Sequence, residues 1–290
     1  MTKAGLHYNT EMREAESGFT LIELSIVLVI IGLIVGGILT GQDLIKAAEQ
    51  RATIAQIEKY NTAVNTFRNK FSGIPGDLTA ASAVSFGLVG GTAGTAGTTG
   101  LGDGNGLVQD PNSANTPVGE PLLFWYQLSQ ASLMDGSYGS DITLTTGQAA
   151  TITIANEFPA AKLGRGNYIT VGSDSGINYY GMTGLTTVTG GAAGTAAYTT
   201  RAANITPLEA YNMDKKVDDG MPNTGSNQAR GSTGDIIAAL VSGNAAASST
   251  SSSSTACTVG TNSTTLSDTY NVNTGSGGNS PLCTMRWRFN

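Results

Sequence analysis

The chain has 290 residues, only 12% of them charged, with a formal net charge of −6 and 39 glycines. A mildly acidic chain offers no clustered Lys and Arg for a nucleic-acid surface, so no nucleic-acid partner is expected. The single histidine, His7, lies near the amino terminus, and the two cysteines are Cys257 and Cys283. Beyond the first residues there is thus no imidazole base and no His/Cys metal cluster, the parts on which most hydrolytic and zinc sites depend. The composition reads as non-enzymatic. Only an acid pair working on glycans in a deep cleft would restore an enzymatic reading.

Phe19 to Leu39 (FTLIELSIVLVIIGLIVGGIL) is an apolar run, long enough to cross a hydrocarbon core of about 30 Å. Its one charged residue is Glu23. A carboxylate there costs several kcal/mol in lipid unless it is neutralised or reaches the interface. A secretory signal peptide would have a shorter apolar segment, a basic flank and a cleavage site after it. Here the flank carries Lys3 and Arg13 but also Glu11, Glu14 and Glu16, and the small residues Gly36, Gly37 and Gly41 continue into further helix.

The string Gly18-Phe19-Thr20-Leu21-Ile22-Glu23 resembles the cleavage and methylation motif of type IV prepilins and type II secretion pseudopilins. The resemblance implies a cut between Gly18 and Phe19 by a prepilin peptidase on the cytoplasmic face, then N-methylation of Phe19. It leaves residues 1–18 as a leader and keeps the hydrophobic anchor on the mature chain. It also implies that Glu23 pairs with the cleaved amino terminus of a neighbouring subunit. A carboxylate and an ammonium, each costly in lipid, become tolerable together.

The helix is expected to continue past the membrane. Residues 19–41 form the transmembrane and assembly part, and residues 42–75 the periplasmic half. Between Gln42 and Phe71 there is no proline, and good helix formers alternate with apolar residues. Ile57, Tyr60, Val64, Phe67 and Phe71 fall at three- and four-residue steps and form a stripe. Pro75, in the run GIPGD, marks the stop. A helix from Phe19 to Phe71 would be about 80 Å long at 1.5 Å per residue. Gly32 with Gly36 and Gly37 with Gly41 are small-xxx-small pairs that permit close helix approach. Equally, they loosen the helix by about 1 kcal/mol each.

Residues 76–290 form the head. Gly90–Gly106 is low-complexity and reads as loop. Glu120–Leu133 reads as a short amphipathic helix that buries Leu123, Phe124, Tyr126, Leu128 and Leu133. Ile142–Ile154 and Tyr168–Val171 alternate and read as antiparallel strands. Thr206 caps a helix through Pro207 to Lys215, with Glu209 in its first turn. Ser242–Ala256 is expected to be mobile. The runs FRNKFSGIPGDL, LLFWYQLSQASLMDGSY and MDKKVDDGMPNTGS resemble the helix exit and head motifs of large prepilin-like proteins.

Asp218 and Asp219, with Asn223 and Thr224, cluster around Gly220 and Pro222. Hard oxygen donors on a tight loop can hold calcium, as in some pseudopilin heads. An ordinary Asp/Asn/Gly turn satisfying its own backbone is the favoured alternative, and no other cofactor is expected. In an oxidising periplasm Cys257 and Cys283 should form a disulfide, and the resemblance places such a bridge around an outward-facing loop. Thr284 to Phe289 reads as a closing strand.

The expected fold is α+β and pilin-like: one long amino-terminal helix packed on short antiparallel strands, small helices and long Gly/Ser/Thr loops. The expected role is structural, as a minor or specialised subunit of a type IV pilus or pilus-like filament. The alternatives are a secretion pseudopilin confined to the periplasm, and a tip adhesin or DNA-uptake pilin. The implied partners are the prepilin peptidase, sister pilins or pseudopilins and an inner-membrane assembly platform. The implied location is the bacterial inner membrane, single-pass with the head in the periplasm, then the filament.

Overall fold

A computed structural model of the chain describes residues 18–88, 102–109, 120–139, 153–189, 197–231, 257–259, 269–273 and 280–289. The chain divides into two units, with the boundary between Ala47 and Ala48. Helix α1, Leu21–Phe71, is 51 residues long and crosses that boundary. In the first unit every residue from Leu21 to Leu39 is solvent-exposed. This helix is apolar and long enough to span a membrane.

In the second unit α1 buries Gln50, Thr53, Ile57, Tyr60, Val64, Phe67 and Phe71. These positions alternate steps of three and four, so one stripe faces the core. The stripe begins earlier than its apolar part because Gln50 and Thr53 are buried with it. The helix stops at Phe71, four residues before Pro75, where Ser72 turns into the left-handed region. Arg68 and Lys70 lie in the last turn, where cations offset the negative end of the helix dipole.

The helices that follow are α2 (Ala80–Ser85), α3 (Glu120–Gln130), the single turn α4 (Ile154–Glu157) and α5 (Pro207–Val217). The strands are β1 (Asn167–Asp174), β2 (Ile177–Thr189), β3 (Ala197–Ala202), β4 (Asn227–Gly231), β5 (Thr258–Val259), β6 (Thr269–Tyr270) and β7 (Cys283–Phe289). The main sheet runs β1-β2-β7-β4, with β3 also paired to β2. Gly184 of β2 faces Asn167 on one side and Ala202 on the other. Strand β3 therefore extends the edge that β7 occupies from Asn178 to Met182. All named strand pairs are antiparallel. Strands β5 and β6 form a separate two-stranded ladder.

One aromatic cluster joins these layers. Tyr60 of α1 meets Trp125 of α3 edge-on at 5.0 Å, and Tyr180 of β2 stacks on Phe289 of β7 at 4.4 Å. Phe124 of α3 reaches Phe289 at 5.7 Å. Such ring pairs add about 0.5–1.5 kcal/mol each beyond the area they bury.

The α+β, pilin-like expectation holds. The structure departs from the expected details in two places. Helix α3 ends at Gln130, short of Leu133, and buries more than the expected stripe: Leu122, Leu123, Phe124 and Trp125 are buried in succession, while Tyr126 and Leu133 are half-buried. Its wet side is narrow, with Tyr126 and Ser129 half-buried and Gln130 exposed, so the buried face is wider than a single stripe. Of the strand expected over Ile142–Ile154, residues 142–152 lie outside the described residues, and Ile154 opens the helical turn α4. Ser242–Ala256 and residues 90–101 of the expected loop also lie outside the described residues.

Candidate functional site

The amino-terminal motif is built on the first turn of α1. Gly18 and Phe19 precede the helix, and the Phe19 ring is 90% exposed. The Thr20 backbone N–H and hydroxyl both donate to Glu23 Oε2, at 2.8 and 2.7 Å, and the Glu23 N–H donates back to Thr20 Oγ1 at 3.3 Å. This reciprocal pair is a capping box, which satisfies amide donors at the helix start. Thr20 therefore positions Glu23. The Thr-x-x-Glu spacing that marks a capping box was present in the sequence and identifies Thr20 as part of the motif. Among the described residues, the Glu23 carboxylate accepts hydrogen bonds only through Oε2. A built Cβ at Gly32, Gly36, Gly37 or Gly41 would meet nothing within 4 Å.

Among the described residues of the head, two clusters of carboxylates occur. In the first, one oxygen each from Asp77, Asp103 and Glu120 lies within 4.8 Å of the others. Asp77 and Glu120 are buried. Asp77 Oδ1 accepts the N–H groups of Gly104 and Asn105 at 2.9 and 3.2 Å, and its Oδ2 accepts that of Gly106 at 2.8 Å. Glu120 accepts the N–H groups of Asp103 and Gln109 at 3.2 and 2.6 Å. This is a buried acid pair, but its oxygens are committed to holding the 102–109 segment against α3. Gly76, at φ +84°, lets the chain pass under α3: a Cβ there would sit 2.4 Å from the Glu120 carbonyl oxygen. Burial pushes the Glu120 carboxyl up to about 9 and that of Asp77 up to about 6, against the pull of their backbone donors.

The second cluster contains the sequence candidates Asp218 and Asp219 together with Asp214, again with one oxygen of each within 4.8 Å. Asp214 lies in the last turns of α5, a helix set by its capping box between Thr206 and Glu209. Asp218 Oδ2 accepts the N–H of Ser226, the Ser226 hydroxyl at 3.2 Å and the Asn227 N–H at 3.2 Å. Asp219 Oδ1 accepts the Met221 N–H at 2.8 Å, and its Oδ2 accepts the Thr224 hydroxyl. Asn223 contributes its carbonyl to Gln228 at 3.4 Å. Sequence reasoning missed Asp214. Its spacing of four residues from Asp218, at the end of a helix, was the available signal.

Cys257 and Cys283 form a disulfide that closes a separation of 26 residues. Cys283 opens β7, where its N–H donates to the Ile205 carbonyl at 2.9 Å. The Cys257 carbonyl accepts the Asn271 N–H at 3.0 Å, placing β6 beside the bridge. Within β7, Trp287 and Phe289 are buried. Arg286 is buried too, donating to Asp174 Oδ2 at 2.6 Å and to Gln228 Oε1 at 2.6 and 2.8 Å.

No curated protein and no solved structure matches the chain. Residues 14–39 match the family model described as the prokaryotic N-terminal methylation motif. That segment contains Gly18, Phe19, Thr20 and Glu23 and most of the exposed apolar half of α1. The chain therefore carries the amino-terminal signature of type IV pilins and pseudopilins.

Proposed function

We propose that this chain is a membrane-anchored structural subunit of a type IV pilus or related filament, in a minor or specialised position. The observation that carries the reading is the methylation motif at residues 14–39 on a helix whose apolar residues from Leu21 to Leu39 are all exposed. Apolar side chains in such a run need lipid or neighbouring helices to leave water. A prepilin peptidase cuts between Gly18 and Phe19, and Phe19 is then N-methylated. The anchor holds the head on the periplasmic side until an inner-membrane platform moves the subunit into the filament. The open surroundings of the pairs Gly32 with Gly36 and Gly37 with Gly41 suit close approach by sister helices.

Glu23 is assigned to assembly. Thr20 engages Oε2 alone, which leaves Oε1 for the ammonium of a neighbour's cleaved terminus. The pair lowers the cost of placing either charge in an apolar filament core. The head has its own core and disulfide.

The test is a Glu23→Ala variant, examined in envelope and sheared fractions. Cleavage after Gly18 should proceed, and the variant should be absent from any filament that contains the wild-type chain. Wild-type levels of Glu23→Ala in that filament would contradict the assembly role. The fraction holding the wild-type chain also separates a surface pilus from a secretion pseudopilus retained in the envelope.

A further inference from the structure

The cluster at the end of α5 has a feature that its turn geometry leaves unexplained. Asp214 has no exposed surface, and its Oδ2 accepts the Tyr270 hydroxyl at 2.8 Å. Its Oδ1 is buried and has no hydrogen-bond partner among the described residues. A buried carboxylate oxygen without a donor is costly. The cost rises here because Asp218 and Asp219 bring two more carboxylates to within 4.8 Å. The nearby lysines are engaged elsewhere: Lys216 Nζ donates to Gln50 Oε1 at 3.2 Å, and Lys215 Nζ lies 5.4 Å from the centre of the Tyr211 ring. Among the described residues, no Lys or Arg forms an ion pair with any of the three.

We propose that Asp214, Asp218 and Asp219 form a binding site for a hard divalent cation of the calcium class. Such a cation takes several oxygen ligands in irregular geometry, and carboxylates are its preferred donors. It would supply the missing partner for Asp214 Oδ1 and remove the repulsion among the three groups. Asp214 is buried, Asp218 half-buried and Asp219 exposed, so the site opens to solvent on the Asp219 side. Gly225 keeps the approach to Asp218 clear, since a Cβ there would overlap the Asp218 carboxylate.

The site lies at a junction. Asp214 belongs to α5, Asp218 binds the residues that lead into β4, and Tyr270 belongs to β6 beside the Cys257–Cys283 bridge. A bound cation ties the end of α5 to the disulfide-closed segment. The proposal does not depend on the filament reading.

The test uses the full chain in detergent micelles after treatment with EDTA. Terbium is added first, because Tyr270 is bonded to Asp214 and can sensitise terbium luminescence from this site. Calcium should displace the terbium and raise the unfolding midpoint by several degrees, since a ligand that binds only the folded state stabilises it. Asp219→Asn, at the exposed position, should remove both signals without loss of folding. Asp214→Asn should remove the calcium response while its metal-free midpoint equals or exceeds that of the wild type. Absence of terbium luminescence and of any calcium-dependent shift in the wild type would overturn the proposal. Responses that persist in both variants would overturn it equally.

Discussion

Glu120 is held in a balance between burial and hydrogen bonding. Burial pushes its carboxyl from 4.5 up to about 9, against the donated N–H of Gln109, and the charges of Asp77 and Asp103 push the same way as burial. The folded head therefore retains a proton that the unfolded chain releases. That contribution is complete below the ordinary carboxylate value and is lost as pH rises toward about 9. In EDTA, the unfolding midpoint should fall between about pH 5 and pH 9, and Glu120→Gln should flatten that fall. An unchanged slope in Glu120→Gln would show that the carboxyl is ionised throughout. Arg286 is a different case, a buried cation matched by Asp174 and Gln228 and lying 4.2 Å from the centre of the Tyr179 ring. Asp174→Ala strands that charge, and should cost about 3–5 kcal/mol in denaturant unfolding. A loss below about 1 kcal/mol would mean that water reaches the guanidinium, as at an exposed pair. Neither arrangement was legible in the sequence. Asp174 and Arg286 are far apart in the chain, as are Asp77 and Glu120, and only the strand register and the α3 packing bring them together.

Helices with local signals were readable, and the central strand was not. The stripe on α1 was visible because Ile57, Tyr60, Val64, Phe67 and Phe71 keep helical spacing against a polar face. The start of α5 was visible because Thr206, Pro207 and Glu209 each have a local reason to be there. Thr206→Ala should cost about 1 kcal/mol, measured by thermal unfolding, because it leaves first-turn amides without a partner. Strand β2 gave no comparable signal. Asn178 to Leu185 are buried on both faces, so polar and apolar residues do not alternate, and Gly181 and Gly184 weaken the strand signal further. The closing strand β7 was legible from its own alternation, yet its buried Arg286 was not. The disulfide at its start closes a loop whose loss of chain entropy is worth about 3 kcal/mol in the unfolded state. The Cys257→Ser, Cys283→Ser double variant should be destabilised by about that amount in a urea titration. An unchanged midpoint would show that β6 and β7 hold the segment without the bridge.

At the scale of the whole molecule, the amino-terminal unit and the head answer different physical demands. The exposed apolar run from Leu21 to Leu39 makes sense only in lipid or among other helices, whereas the head carries its own core of aromatic and aliphatic residues. In the proposed reading the methylation motif joins the two demands, because a cut ahead of the apolar run would keep the anchor on the mature chain. The measurement that tests this most directly is the mass of the amino-terminal peptide of the membrane-extracted chain, taken from cells with and without a prepilin peptidase. The account predicts a peptide beginning with N-methyl-Phe19 when the peptidase is present, and one that still contains Gly18 when it is absent. A chain that retains Gly18 in both cells, or that is cut after Leu39, would contradict it.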